Sequence, residues 1–353
     1  MKRLTYFAVI VALLVALSPA WSARAQDDGG NLLCSGLSDE DCAVLNSASA
    51  ALEGITSFSV PSWTISAVIP GEDGPNTLNA TGSAEFMPSE DPSANKVHLV
   101  IDEASMSGPD GEESGSMEIL LLGDMVYVLS DGQWYGGAAT EEDAEQLGQL
   151  GSLGSLDALG ELDLSTSGID MSTMITTTRG DEATVGDTAV VPYTTSINIV
   201  AVLMGALSSS LGQDLTDMLA DMVPSDSGMQ LEGATPDMIM AFVPLMAPMF
   251  QGTSITVEQS IGVDDNMIHG LKLDVVFNFD MSSLSGMMGG QAAQESQGAA
   301  MEPINLEFHF YTEMADYNAT FEMTPPADYL PLEELDKDLD LNLDLGSLQA
   351  IGK

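Results

Sequence analysis

Basic residues are scarce in this chain. Its 353 residues include 54 Asp and Glu but only eight Lys and Arg, for a formal net charge of −46. Three of the eight, Lys2, Arg3 and Arg24, lie near the N-terminus. The sequence therefore offers no basic patch that could neutralise phosphates, which argues against nucleic acid or an anionic membrane surface as a partner. With so few cations, the fold must depend on apolar burial and backbone hydrogen bonds.

Cysteine is also rare. The chain has two, Cys34 and Cys42. One close pair in an exported chain predicts a single disulfide. Between them, Ser38 is a favourable helix N-cap, and Asp41 supplies the acid of a capping box. A metal or redox thiol pair is the alternative, although this spacing without a nearby His matches no common site.

Long hydrophobic segments are missing as well. The apolar run Phe7–Leu17 is too short for a bilayer of ~30 Å. It follows a short positive region and precedes small residues at cleavage spacing, so residues 1–25 are predicted to be a signal peptide cleaved near Ala25. This predicts a secreted or cell-envelope protein, with a retained anchor as the alternative. Prolines interrupt the most apolar later stretch, 238–250, so no integral membrane span is expected.

Catalytic motifs are not found either. The three histidines, His98, His269 and His309, lie within strand patterns and are not paired by local spacing. The sequence contains no Gly-x-Ser-x-Gly, His-Glu-x-x-His or glycine-rich phosphate loop, so we expect no enzyme and no cofactor. The tail 336–344 places oxygens at every second residue but lacks the Gly and Glu of a helix-loop-helix calcium site. Divalent cations at the acidic surface remain an open alternative.

What the chain does have is extensive strand patterning. Hydrophobic residues make up 44% of the sequence, enough for a core. A helix is predicted over 38–54. Alternating residues predict strands at 57–69, 76–86, 96–104, 116–122, 125–129, 133–135, 181–185, 188–197, 254–263, 268–281, 304–313 and 319–323.

Two further helices are predicted between the strands that end at 197 and begin at 254. The first has a stripe of Met204, Leu207, Leu211, Leu215, Met218 and Met222, and the second a stripe of Met238, Phe242, Leu245 and Met249. Leucines spaced by three across 140–168 suggest a frayed helix, a loosely packed lid or a solvated loop, and 282–301 is a low-complexity loop. The predicted fold class is α+β, a large curved antiparallel sheet with helices covering one face. A two-sheet sandwich is the structural alternative.

Several segments resemble the LolA/LppX-type lipoprotein carriers. They are Gly123–Leu129 with Gly132–Tyr135, Gly180–Tyr193, Asp264–Leu271, and Phe310–Asn318 followed by Pro325. The resemblance implies a half-barrel sheet closed by helices around an apolar cavity, in a domain spanning 38–331. Residues 26–37 would then be a leader of the mature chain, and 332–353 an acidic tail. The family's acylated cysteine has no equivalent here.

The resemblance and the 22 methionines together predict a carrier or binding protein for a lipid or other hydrophobic ligand. Unbranched thioether side chains adapt to irregular apolar ligands, although ordinary core packing also explains them. Amphipathic position selects the predicted cavity lining: Trp63, Trp134, Tyr135, Met204, Leu207, Leu211, Phe242, Leu245 and Met249. The alternative function is an acidic surface or adhesion module stabilised by divalent cations.

Overall fold

A single large sheet organises the protein. The computed structural model describes residues 32–52, 54–71, 74–89, 94–109, 111–138, 173–202, 250–279, 304–332 and 334–335. After a 3-10 turn at Leu32–Cys34, helix α1 spans Asp39–Leu52. The strands are β1 Phe58–Ile69, β2 Asn76–Met87, β3 Lys96–Gly108, β4 Gly111–Leu122, β5 Met125–Ser130, β6 Gln133–Ala138, β7 Ile175–Arg179, β8 Ala183–Val185, β9 Thr188–Ile197, β10 Ser254–Gly262, β11 Ile268–Phe279, β12 Ile304–Glu313 and β13 Leu330–Pro331.

The strands follow the order β13-β6-β5-β4-β3-β2-β1-β12-β11-β10-β9-β7, and β8 pairs with β9 outside this path. All pairings are antiparallel except that of β13 with β6. In the described part of the chain the two end strands do not pair with each other, so the curved sheet stays open. This confirms the predicted α+β class with a large curved antiparallel sheet.

The two faces of the sheet differ in polarity because strand side chains alternate. The apolar face carries Trp63, Ile65 and Phe310, and α1 packs on it through Leu45 and Ala48. These residues belong to the main core, a buried cluster that continues across β1, β2, β3, β9, β10, β11 and β12. The polar face carries the residues between them, such as Thr64, Asn79, Lys272 and His309.

Bulges at neighbouring positions bend the sheet. The ladders β1–β2, β2–β3 and β3–β4 each shift register close to Trp63, Gly82 and Ile101, which lie side by side. A bulge locally increases twist and bends its strand. The Trp63 indole lies against Gly82, where a Cβ atom would come within 2.5 Å of its Cζ2. Glycine at position 82 therefore lets the largest core side chain pack where the sheet curves.

The disulfide Cys34–Cys42 is present and joins the 3-10 turn to α1. Ser38 caps the helix as predicted, because its Oγ accepts from the Asp41 N–H at 3.2 Å and donates to the Asp41 carboxylate at 2.7 Å. The helix is thus held at its first turn by a covalent link and by the Ser38 cap, whose hydroxyl bonds both the backbone and the side chain of Asp41.

The loop that this disulfide closes lies against the edge strand β7. The Thr177 N–H donates to the Ser35 carbonyl at 2.7 Å, and Gly36, with φ of 91°, packs on the Thr177 backbone. Arg179 Nε lies 3.3 Å from the Asp41 carboxylate. An exposed edge strand invites pairing with another chain, and this loop covers part of that edge.

A tight segment after β12 holds the start of β1. Asp316 and Asn318 both have positive φ, at 51° and 60°. The Asp316 carboxylate accepts from Ser59 Oγ at 2.8 Å, and Asn318 Oδ1 accepts from the Thr56 N–H at 2.8 Å. Asp and Asn are among the side chains that tolerate this backbone region best. The Asp-Tyr-Asn step therefore joins two distant parts of the chain.

The predicted strand over 319–323 is wrong. These residues form no ladder, although Phe321 and Met323 pack against Leu120 and Tyr127 in a second cluster. The alternation arises because one side of an irregular segment is buried. Periodicity alone does not distinguish this one-sided burial from the burial of a strand that pairs in a sheet. A third cluster forms from Val128, Tyr135 and Leu335.

The other predicted strands are found with similar bounds, and β9 and β12 match residue for residue. The prediction missed β7 and β13 and started β4 five residues late, because 111–115 is rich in Gly and Glu. Asn198 caps a helix over residues 199–202, with its Oδ1 accepting from the Ala201 N–H at 3.2 Å. The two predicted apolar stripes, the 140–168 and 282–301 segments and most of the tail lie outside the described residues.

Candidate functional site

A cleft of about 780 Å³ opens on the polar face. It crosses β2, β1, β12, β11 and β10 in the middle of the sheet. Ten of its thirteen lining residues are polar by type, although more of the exposed lining surface is apolar than polar; the lining consists of Thr64, Ile65, Ser66, Asn79, Ala80, Thr81, Ser254, Thr256, Lys272, Asp274, His309, Phe310 and Tyr311. Cross-strand register brings these residues together: Thr64 lies opposite Tyr311, and Asp274 lies opposite His309.

Asp274 is the centre of the charged part of this cleft. One carboxylate oxygen lies 2.8 Å from Lys272 Nζ, and the other lies 2.7 Å from His309 Nδ1. Burial alone would raise the pKa of Asp274, but hydrogen bonds and charge from Lys272 and His309 outweigh it and lower this pKa. The hydrogen bond to Asp274 raises the pKa of Lys272. The three side chains form one hydrogen-bonded unit without a formal net charge when the imidazole is neutral.

Tyr311 borders this unit, and its surroundings raise its pKa. Burial, together with the nearby Glu313 and Glu258 carboxylates, raises the pKa of Tyr311 to about 12. The Tyr311 hydroxyl donates to Glu313 Oε1 at 3.1 Å. At neutral pH the cleft presents an uncharged phenol beside the ion pair.

The predicted lining residues within the described chain do not come together. Trp63 is 1% exposed and packs in the main core. Trp134 packs on the second cluster, and Tyr135 belongs to the third. Met204, Leu207, Leu211, Phe242, Leu245 and Met249 lie outside the described residues. Their assignment to a cavity stays a prediction.

The strand ends beside the undescribed central segment are apolar. Ile197, the last residue of β9, lies opposite Ile255 near the start of β10. The Phe250 ring contacts the Phe277 ring edge-on, with centroids 6.0 Å apart. Phe277 has the same strand parity as Leu273 of the main core, so the chain that returns to β10 lies on the apolar face.

The remaining histidines pair with carboxylates elsewhere. His98 Nε2 lies 2.8 Å from Glu118 across β3 and β4. His269 is buried, with Nε2 2.9 Å from Asp265 and Nδ1 3.3 Å from the Met314 carbonyl. Within the described ranges, no group of three or more His, Cys, Asp or Glu side chains is placed to hold a metal ion.

Sequence reasoning did not identify Lys272, Asp274 and Tyr311 as site residues, and it treated His309 only as a strand histidine. The available signal was alternation, which assigns all four to strands β11 and β12. Alternation does not give the register that sets Asp274 opposite His309. None of the described helices is both long and apolar enough to cross a membrane.

No protein-family model matches this chain, and no curated protein matches it in sequence. Among solved structures, the fold is similar to that of LprF from Mycobacterium bovis, with 12% identity, a TM-score of 0.38, and coverage of 82% of this chain and 99% of that one. It is also similar to lipoprotein LppX of Mycobacterium tuberculosis, with 10% identity, a TM-score of 0.33, and coverage of 81% and 100%. A putative outer membrane lipoprotein-sorting protein domain from Vibrio parahaemolyticus is more distant, at 8% identity and a TM-score of 0.17 over 84% of this chain and 96% of that one. Values this low carry no argument about fold or function, and the fold assignment rests on the open antiparallel sheet itself.

Proposed function

We propose that this chain is an exported, non-catalytic carrier or binding protein for a lipid or other hydrophobic ligand. The ligand would lie between the apolar face and the central segment 203–249. The main support is the way this segment joins the sheet. The chain leaves β9 after Ile197 and re-enters at β10, whose Ile255 pairs with Ile197. Both ends of the segment therefore meet the sheet at one place, as the two ends of a cover would.

The side on which the segment returns also supports this function. The contact of Phe250 with Phe277 places the returning chain on the apolar face. The sequence of 203–249 carries Met204, Leu207 and Leu211 at helical spacing. Apolar side chains that include flexible thioethers suit a site for varied acyl chains.

Export is supported by the disulfide between Cys34 and Cys42. Disulfides form and persist in oxidising compartments and are rare in a reducing cytosol. A surface dominated by carboxylates keeps such a protein soluble while its apolar ligand is sequestered.

Native mass spectrometry before and after organic extraction tests this function. We expect a lipid-derived mass that extraction removes, followed by uptake of a fluorescent fatty acid by the extracted protein. Leu211→Glu should weaken uptake at least tenfold, because a carboxylate on the predicted stripe must be desolvated. Gln213→Glu, on the opposite side of the same predicted helix, is the matched control and should leave uptake unchanged. Protein that carries no lipid and takes up no fatty acid would refute the carrier function.

A further inference from the structure

The cleft on the polar face has no role in the carrier function, because it lies on the side of the sheet away from α1 and the main core. Its charge is unusual for this protein. Lys272 and Asp274 are the only formally charged residues of its lining, and they form an ion pair at 2.8 Å. The two charges of the lining therefore cancel in a chain of net charge −46, while the Glu258 and Glu313 carboxylates lie beside the lining at Tyr311.

Six of the thirteen lining residues have small hydrogen-bonding side chains. Thr64, Asn79 and Thr81 are exposed on neighbouring strands, and Ser66 is half-buried beside them. Within the described part of the chain, none of these four side chains hydrogen-bonds to another protein group. Each hydroxyl can donate and accept, and the Asn79 amide can do both. The spacing of about 4.8 Å between strands sets these groups out in a regular array.

Charged ligands are disfavoured at this site. An anion would meet the Asp274 carboxylate and the negative field of the whole protein, while the Lys272 ammonium and the His309 imidazole are already hydrogen-bonded to Asp274. A divalent cation needs several oxygen ligands, and Lys272 would oppose it. A neutral ligand with many hydroxyl groups avoids both penalties and matches the array.

Tyr311 completes this chemistry. Its phenol is neutral at neutral pH, as any tyrosine is, and its half-buried ring gives the cleft an apolar patch beside the hydroxyls. Tyrosine is suited to ligands that have both apolar and polar surfaces. We propose that the cleft formed by Thr64, Asn79, Thr81, His309 and Tyr311 binds a neutral saccharide.

The test uses the full mature protein and four neutral probes: maltotriose, cellotriose, mannotriose and the N-acetylglucosamine trimer. Saturation-transfer NMR detects contact, and titration calorimetry gives the Kd. We expect at least one probe to bind, and inorganic phosphate and calcium not to compete with it. The double variant N79A/T81A should raise the Kd at least tenfold, since each hydrogen bond contributes about 1 kcal/mol. His309→Ala, an independent change in the same cleft, should also weaken binding.

Thr77→Ala is the matched control, because Thr77 lies on the same strand and face but outside the cleft. Its Kd should stay within twofold of the unmodified protein. Fatty-acid uptake should be unchanged in N79A/T81A, which separates this site from the carrier function. Failure of all four probes to bind would overturn the proposal. So would competition by phosphate, or an affinity that neither N79A/T81A nor His309→Ala alters.

Discussion

Replacing Gly82 by alanine would test how the sheet accommodates its largest core side chain. An added Cβ would lie 2.0 Å from the Val100 carbonyl oxygen and 2.5 Å from Trp63 Cζ2. Neither neighbour can move away easily, because Val100 belongs to the β2–β3 ladder and Trp63 is 1% exposed. The strands themselves must therefore shift.

The expected loss of stability follows from these two contacts. Overpacking a core usually costs 1–3 kcal/mol, and a clash with both backbone and indole should reach the upper end, about 3 kcal/mol. For a chain of this size that corresponds to a fall in Tm of roughly 6 °C. Urea unfolding followed by far-UV circular dichroism gives the free energy of unfolding, and tryptophan fluorescence reports on the surroundings of the indoles.

Gly115→Ala is the matched control. Gly115 also lies in a strand of this sheet, in β4, but nothing lies within 4 Å of a Cβ added there. Alanine at position 115 should change the free energy of unfolding by less than about 0.5 kcal/mol, or raise it slightly because the unfolded chain loses freedom. Equal effects of the two substitutions would show that Gly82 has no special packing role, and that Trp63 does not lie against it.

Two further predictions concern the disulfide and the cleft. The double variant C34S/C42S should lose about 2–3 kcal/mol of stability, since the bridge closes a short loop. Dithiothreitol should lower the urea midpoint of the unmodified protein and leave the midpoint of the variant unchanged. An equal response of both proteins to dithiothreitol would contradict this prediction. The pKa of Asp274 lies below the usual 3.8, so its carboxylate stabilises the fold at neutral pH, and this contribution is lost as the pH falls from about 4 through the lowered pKa. Asp274→Asn should therefore flatten the acid side of the stability profile below about pH 4. Identical acid profiles for the Asp274 variant and the unmodified protein would contradict the assignment.

Local structure could be predicted from the sequence wherever residues close together in the chain determine it. The helix cap at Ser38 and the two-residue turn at Asp131-Gly132 are two examples. Each was predicted because a capping side chain or a positive φ within a few residues is enough to form it. In the turn, φ is 51° at Asp131 and 78° at Gly132, the pattern of a type I′ hairpin. Alternation located β9 and β12 for the same reason, since burial on one face has a period of two.

Contacts and strand pairings between residues that are distant in sequence could not be predicted in this way. Phe321 and Met323 alternate like a strand, but what they contact is the second cluster, so burial occurs without pairing. The short strand β7 was missed because its hydrogen bonds come from β9 and from Ser35, far away in sequence. Its own residues, Ile-Thr-Thr-Thr-Arg, carry too little pattern to indicate a strand.

The amino-acid sequence by itself determined the fold class, the single disulfide and the strongly acidic surface, because composition, periodicity and local spacing are properties of the chain before it folds. Only the tertiary structure decided that Lys272, Asp274 and His309 form one unit, and that Trp63 packs against Gly82 where the sheet bends. The physical reason is strand register. A shift of one residue would move every side chain of a strand to the other face, and the register is set by the packing of the whole sheet.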